Sequence, residues 1–215
     1  LGVSPAMISV ALGIPRFLDA IIDPLMGNLT DNTRSRWGRR KPYIALGSIL
    51  AGLLFMILWS PPLTLGKTGL FTYFLIISIL YFFSYTIFFI PQNALGFEMS
   101  NDYNERTNLF AYKSLVDTVG GFLIPWSYFF VTRREWFDDS IQGAQVLSVF
   151  VALGFIVFCA IPVIFCQERY SERIAAQEQV PLTKGVTESM TNLPFMLLAT
   201  TVMLMFFGMF TIGSI

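Results

Sequence analysis

Three charged residues, Arg16, Asp19 and Asp23, stand inside an otherwise apolar stretch running from Val3 to Gly27. About 20 apolar residues suffice to cross a bilayer, so this stretch places all three charges within the hydrocarbon. Charges there are costly, and they mark ion or solute paths more often than they serve packing. On a helix the i, i+3 and i, i+4 spacings put Arg16, Asp19 and Asp23 on one face. One cation then faces two carboxylates, and the surplus negative charge calls for a bound H⁺ or Na⁺ to neutralise it.

A second pair of the same kind is Lys113 and Asp117, again one helical turn apart. Measured along their helices, Lys113 and Asp23 lie roughly one to two turns from the same end, with Asp117 and Asp19 about one turn deeper. The five groups together carry two positive and three negative charges. A purely structural ion network would be expected to balance, because buried charges are tolerated only when paired. A third polar set, Tyr85, Thr86, Gln92 and Asn93, gathers around Pro91. Proline removes a backbone hydrogen bond and tends to kink a helix, and the groups freed beside it can line a polar cavity. Thr86 is the candidate oxygen ligand of this set. Tyr85, Gln92, Asn93 and Lys113 are the candidates for contact with a solute, although Thr, Asn and Gln equally serve as interhelical hydrogen-bonders in membranes.

The elements that must position these residues are membrane helices. Of 215 residues 54% are hydrophobic and 13% charged, and the mean hydropathy is +0.63, which indicates an all-α polytopic membrane protein. The apolar runs predict helices over Val3–Gly27, Pro42–Ser60, Gly69–Met99, Leu109–Thr132, Ala144–Phe165 and from Leu193 to the last residue. The connection from Asp31 to Lys41 holds Arg34, Arg36, Arg39, Arg40 and Lys41, so the positive-inside rule makes it cytoplasmic. Alternating the loops from there places nine of the 14 basic residues inside and three outside, with Arg16 and Lys113 within the membrane. The first residues then face outward. Gln167–Thr191, long, polar and mixed in sign, reads as a cytoplasmic linker between two helical bundles. The expected organisation is a bundle over 1–166, a linker over 167–191, and the first helix of a second bundle over 192–215. With no initiator Met and an apolar run reaching Ile215, a piece of a longer chain is expected.

Composition also excludes functions. Acidic and basic residues balance at 14 each, so nothing suggests nucleic acid as a partner. There is no His, and the two cysteines, Cys159 and Cys166, have no acid or base beside them. Neither a zinc site nor a Cys-His nucleophile can be assembled, which argues against an intramembrane enzyme and for no cofactor beyond a coupling ion.

The run RFLDAIIDPLMGNLTDNTRSRWGRRKPYIALG, Arg16 to Gly47, resembles the glycoside-pentoside-hexuronide:cation symporters of the major facilitator superfamily, best known from the melibiose carriers. The Arg-x-x-Asp-x-x-x-Asp-Pro spacing is specific to that resemblance. Gly27, Asp31, Gly38, Arg39 and Arg40 are similar to the superfamily's loop between its second and third helices. Tyr85-Thr86-Ile87, Ile90-Pro91 and Glu105-Arg106 also fall where that family has similar residues. The resemblance implies a partial superfamily bundle, comprising the second to sixth helices and the seventh. It further implies a cation site at Asp19, Asp23 and Thr86, and a cytoplasmic gating element made of Gly27, Asp31, Gly38, Arg39, Arg40 and Arg106. The solute would be a sugar, a glycoside or a related polar molecule, carried through a cell membrane by a monomer of the full-length chain.

Departures from the family pattern refine this. Melibiose carriers have Asn immediately before the second Asp, whereas here it is Ile22. A hard cation wants several oxygen ligands, so the loss of one favours H⁺ over Na⁺ as the coupling ion, with Asp19 and Asp23 the place a Na⁺ would take. The carriers' sugar-binding Asp and Trp fall at Phe89 and Asn93, and an Arg falls at Ser114, beside Lys113. Melibiose-type galactoside binding is therefore not expected. Two other readings are a carrier for an amphiphile such as a lysolipid, and a non-transporting sensor on a carrier scaffold.

Overall fold

The computed structural model describes residues 5–62, 64–100, 102–133, 135–166, 168 and 182–213. Those residues form helices and short connections: α1 Pro5–Asn32, α2 Lys41–Leu58, α3 Lys67–Glu98, α4 Tyr103–Val131, α5 Ser140–Phe165, α6 Leu182–Thr191 and α7 Leu193–Gly213. In a bilayer every backbone polar group must be satisfied within its own segment, and helices do this. By length and composition α2, α3, α4 and α5 can each cross a membrane. Four acidic or basic residues dilute the apolar character of α1, although its 28 residues are long enough to span. The chain divides into two compact units, Leu1–Ala176 and Gln177–Ile215.

In the first unit α2 is the central element, packed on both α3 and α5, with α1 on α3 and α4 on α5. The sequence of α2 explains this position. Its buried residues Ile44, Gly47, Ser48, Ala51 and Gly52 recur at helical spacing, and most are small. Small residues let membrane helices approach closely, where van der Waals packing replaces the missing hydrophobic drive. A Cβ on Gly47 would lie 2.6 Å from the backbone nitrogen of Phe88 on α3, and one on Gly52 would lie 3.1 Å from the carbonyl oxygen of Ala152 on α5. The core between these three helices is Ile44, Ala51, Phe88, Leu95 and Cys159, with Tyr81, Tyr85 and Phe155 against it. The large apolar side chains left outside, Phe17, Phe122, Phe158 and Ile164 among them, are those a lipid phase would cover.

Several boundaries differ from the expectation: α1 runs on to Asn32 rather than ending at Gly27, and α5 starts at Ser140 rather than Ala144. The fourth helix begins at Tyr103 rather than Leu109, because Asp102 caps it, accepting the backbone N–H groups of Asn104 at 2.7 Å and Glu105 at 3.0 Å. The polar residues Asn104 to Asn108 thus form its first turns. The segment expected to be linker as far as Thr191 is helical from Leu182, and α6 packs on α7 within the second unit. At 10 residues α6 is too short to cross a membrane. Asn192 caps α7 by accepting the N–H of Phe195 at 3.2 Å. The linker's Arg169 and Arg173 lie outside the described residues. Pro91 is buried within α3, which continues through it without a break.

Candidate functional site

α1 presents Arg16, Asp19 and Asp23 from successive turns, as their spacing requires. Arg16 stands 3.7 Å from the Asp19 carboxylate and is itself mostly exposed, its guanidinium lying 4.7 Å above the Phe82 ring of α3. Asp19 is largely shielded, at 17% side-chain exposure. The buried Thr86 of α3 lies beside the Asp23 carboxylate, with Asp19 and Arg16 also within electrostatic reach of it. The packing of α1 on α3 therefore brings Asp19, Asp23 and Thr86 together, with Arg16 at the edge. Ile22, the neighbour of Asp23, supplies no oxygen.

Lys113 and Asp117 pair with one another at 2.7 Å and remain exposed, on a helix of which no residue is buried. Among the described residues no ion pair joins them to the α1 stripe. Tyr85 of α3, next to Thr86, is half-buried against the core between α2, α3 and α5. Tyr85 also stacks on Phe89, with ring centroids 5.0 Å apart, and meets Phe88 edge-on at 5.0 Å. Asn93 donates to the carbonyl oxygen of Phe89 at 3.1 Å, which commits one of its amide protons to its own helix. Gln92 is half-buried one position earlier. A separate cavity of about 640 Å³ lies between α2, α4 and α5, lined by Phe55, Trp59, Trp126, Phe130, Leu147 and Val151 among others. Among the described residues no charged side chain lines it, so it is not a site for an ion.

The loop from α1 to α2 builds a second charged assembly. Arg39 and Arg40 are almost fully buried, each with 6% of its side chain exposed. Burial of two like charges side by side requires anions, and two carboxylates supply them. Glu98, at the last turn of α3, pairs with Arg39 and, at 3.1 Å, with Arg40. Asp31, at the end of α1, stands 2.7 Å from Arg40 and 3.7 Å from Arg39. Gly38 turns the chain into this arrangement with φ of +101°, a left-handed conformation that glycine adopts without penalty. The hydroxyls of Thr33 and Tyr43 tie the two ends of the loop at 2.8 Å. Gly27 sits one turn before the loop, where α1 approaches Ile90 of α3. Among the described residues, the buried Nε of Arg106, in the first turns of α4, has no hydrogen-bond partner, and no ion pair joins Arg106 to this loop.

Sequence reasoning missed Glu98 and Glu168. Glu98 was legible in principle, being the only acid of α3 at the end of an apolar span. Glu168 accepts hydrogen bonds from the backbone N–H groups of Arg39, Arg40 and Lys41, more than 120 positions earlier in the chain. No local signal announces such a contact.

A family model described as MFS/sugar transport protein matches residues 1–215. The chain belongs to this family. Its relatives are membrane symporters and permeases. The inner membrane symporter YicJ of Escherichia coli (strain K12) is 35% identical over 162 residues, covering 74% of this chain and 35% of that protein. A lactose permease of Lactobacillus helveticus is 28% identical over 117 residues, 51% of this chain and 18% of the permease. The sodium-dependent lysophosphatidylcholine symporter 1-A of Danio rerio is 33% identical over 119 residues, 54% of this chain and 22% of that protein. The match spans about a third or less of the length of each of these three relatives. The family and the four helices apolar enough to cross a bilayer make this a multi-pass membrane chain of that family. The resemblance read from Arg16 to Gly47 pointed to the same family.

Proposed function

We propose that the full-length protein is a secondary active transporter that moves a sugar, a glycoside or a related polar solute together with a cation. The observation carrying this reading is the packing of α1 on α3, which sets Asp19 and Asp23 beside the buried Thr86. Two carboxylates and a hydroxyl at one point in a membrane bind a cation or a proton, and Arg16 neutralises only one of the carboxylates. The coupling ion is H⁺ in preference to Na⁺, because Ile22 withholds an oxygen that a hard cation would need. The arginine loop faces the cytoplasm on this reading, and the Arg39, Arg40, Glu98 and Asp31 assembly closes the inward side during alternating access. Tyr85, Gln92, Asn93 and Lys113 are the solute contacts, and the transporter works as a monomer.

A second solute class, an amphiphile such as a lysolipid, is favoured by one relative's name and by the stacked Tyr85 and Phe89. Competition by headgroup analogues but not by sugars would distinguish it.

The deciding test needs no knowledge of the solute: the thermal midpoint of the purified full-length protein against Na⁺ concentration and against pH, for wild type and Asp23→Asn. A ligand that binds only the folded state raises that midpoint by mass action. Stabilisation of wild type by acid but not by Na⁺, lost in Asp23→Asn, supports proton coupling at this carboxylate. Stabilisation by Na⁺, lost in the variant, keeps the site and overturns the choice of ion. An identical response in both proteins removes Asp23 from the coupling site.

A further inference from the structure

The N-terminal turn of α2 lacks a side-chain cap of its own. Its N-cap residue is Arg40, which makes no capping hydrogen bond, although the first N–H groups of a helix have no partner within it. The carboxylate of Glu168 fills that place. One oxygen, Oε2, accepts the N–H of Arg39 at 2.8 Å, and the other, Oε1, accepts those of Arg40 at 3.0 Å and Lys41 at 3.2 Å. The helix dipole adds to these charge-assisted bonds. Gly38 makes the room: a Cβ there would lie 2.5 Å from one carboxylate oxygen and 3.0 Å from the other. The same two residues whose backbone holds Glu168 send their buried side chains to Glu98 and Asp31.

We propose that Glu168 is an intramolecular latch that clamps the chain just beyond α5 onto the arginine loop and holds Arg39 and Arg40 aimed at Glu98 and Asp31. Glu168 fixes the backbone from which both guanidinium groups are launched, so the pairing of those groups depends on it. When the carboxylate leaves, three N–H groups lose their acceptor, Gly38 loses its lid, and the loop is no longer tied to the end of α5. The latch does not require any particular solute or coupling ion.

The test is amide hydrogen exchange on the purified full-length protein, read on a peptide covering residues 38–41, for wild type, Glu168→Ala, Glu168→Gln and Gly38→Ala. Exchange reports local opening. In Glu168→Ala it should accelerate roughly tenfold or more, the equilibrium factor carried by one hydrogen bond to a charged group. A peptide from the middle of α5, expected unchanged, shows that the bundle stays folded. Gly38→Ala, which strains this left-handed turn and also drives a Cβ onto the carboxylate, serves as the positive control for an opened loop. Glu168→Gln keeps the shape and one acceptor oxygen and should fall between, which preserves the test if the Ala variant does not fold. Wild-type exchange in both Glu168 variants overturns the latch. Thermal midpoints of Glu168→Ala, Glu98→Gln and the double variant test the aiming of the arginines. A double variant less destabilised than the two singles combined supports it, and strict additivity overturns that part.

Discussion

Glu98 and Asp31 pair with the same two arginines, yet burial predicts very different costs for neutralising them. The side chain of Glu98 is 18% exposed and touches both guanidinium groups, whereas that of Asp31 is 52% exposed. Glu98→Gln leaves Arg39 and Arg40, each 6% exposed, beside a neutral amide. Removing one partner of a buried pair costs about 3–5 kcal/mol, and the amide, which still accepts a hydrogen bond, places this substitution near the lower end. Asp31→Asn removes a half-solvated charge, for which about 1 kcal/mol or less is appropriate. The gap of about 2 kcal/mol corresponds to roughly a thirtyfold difference in the unfolding equilibrium. At about 2–4 °C per kcal/mol for a chain of this size, Glu98→Gln lowers the thermal midpoint by about 6–12 °C and Asp31→Asn by no more than about 4 °C. A longer full-length protein compresses both shifts but keeps their order. The assay is thermal unfolding of the full-length protein in detergent at low and high salt. Salt should shrink the Asp31→Asn effect and leave the Glu98→Gln effect nearly intact, because buried pairs are poorly screened. A loss in Asp31→Asn equal to or larger than that in Glu98→Gln would refute the argument from burial.

Four further substitutions test the packing and the ion site. Thr86→Val, which keeps the volume and removes the hydroxyl beside Asp23, should weaken the response of the thermal midpoint to the coupling ion while leaving the ion-free midpoint within about 1–2 kcal/mol of wild type; an unchanged ion response would remove Thr86 from the site. Ile22→Asn adds an oxygen beside Asp23 and should create or strengthen stabilisation by Na⁺, measured as the shift in midpoint between Na⁺ and choline buffers, and no gain would show that the residue before Asp23 does not select the ion. Gly47→Ala drives a Cβ to within 2.6 Å of the Phe88 backbone nitrogen and 2.9 Å of its Cβ, an overpacking that should cost about 1–3 kcal/mol. Gly154→Ala meets only the Phe158 ring, at 3.8 Å, and should be neutral or stabilising by up to about 1 kcal/mol. Equal stabilities for these two glycine variants would contradict the close approach of α2 to α3.

The helices themselves were legible in the sequence, because a bilayer demands long apolar runs and the spacing of Arg16, Asp19 and Asp23 along one run settles which face they share. The small residues of α2 carried a similar signal at helical spacing, one that the reading of apolar runs did not use. Polar helical turns escaped that logic, since the start of α4 at Tyr103 and the helix from Leu182 to Thr191 rest on capping and local packing rather than on hydropathy. The basic loop was visible as a run of charge, but a run of charge says only which residues prefer water or the inner leaflet. That Arg39 and Arg40 turn inward, away from water, was decided by the tertiary fold, which carries Glu98 from the end of α3 and Glu168 from beyond α5 to the same point. Likewise Asp23 could be named from its own helix, while its hydroxyl neighbour Thr86 depends on how α1 packs against α3. Periodicity is a property of one segment and can be read from that segment. The partner of a buried charge is chosen by whichever distant segment the fold brings within hydrogen-bonding distance, and only the assembled bundle determines that.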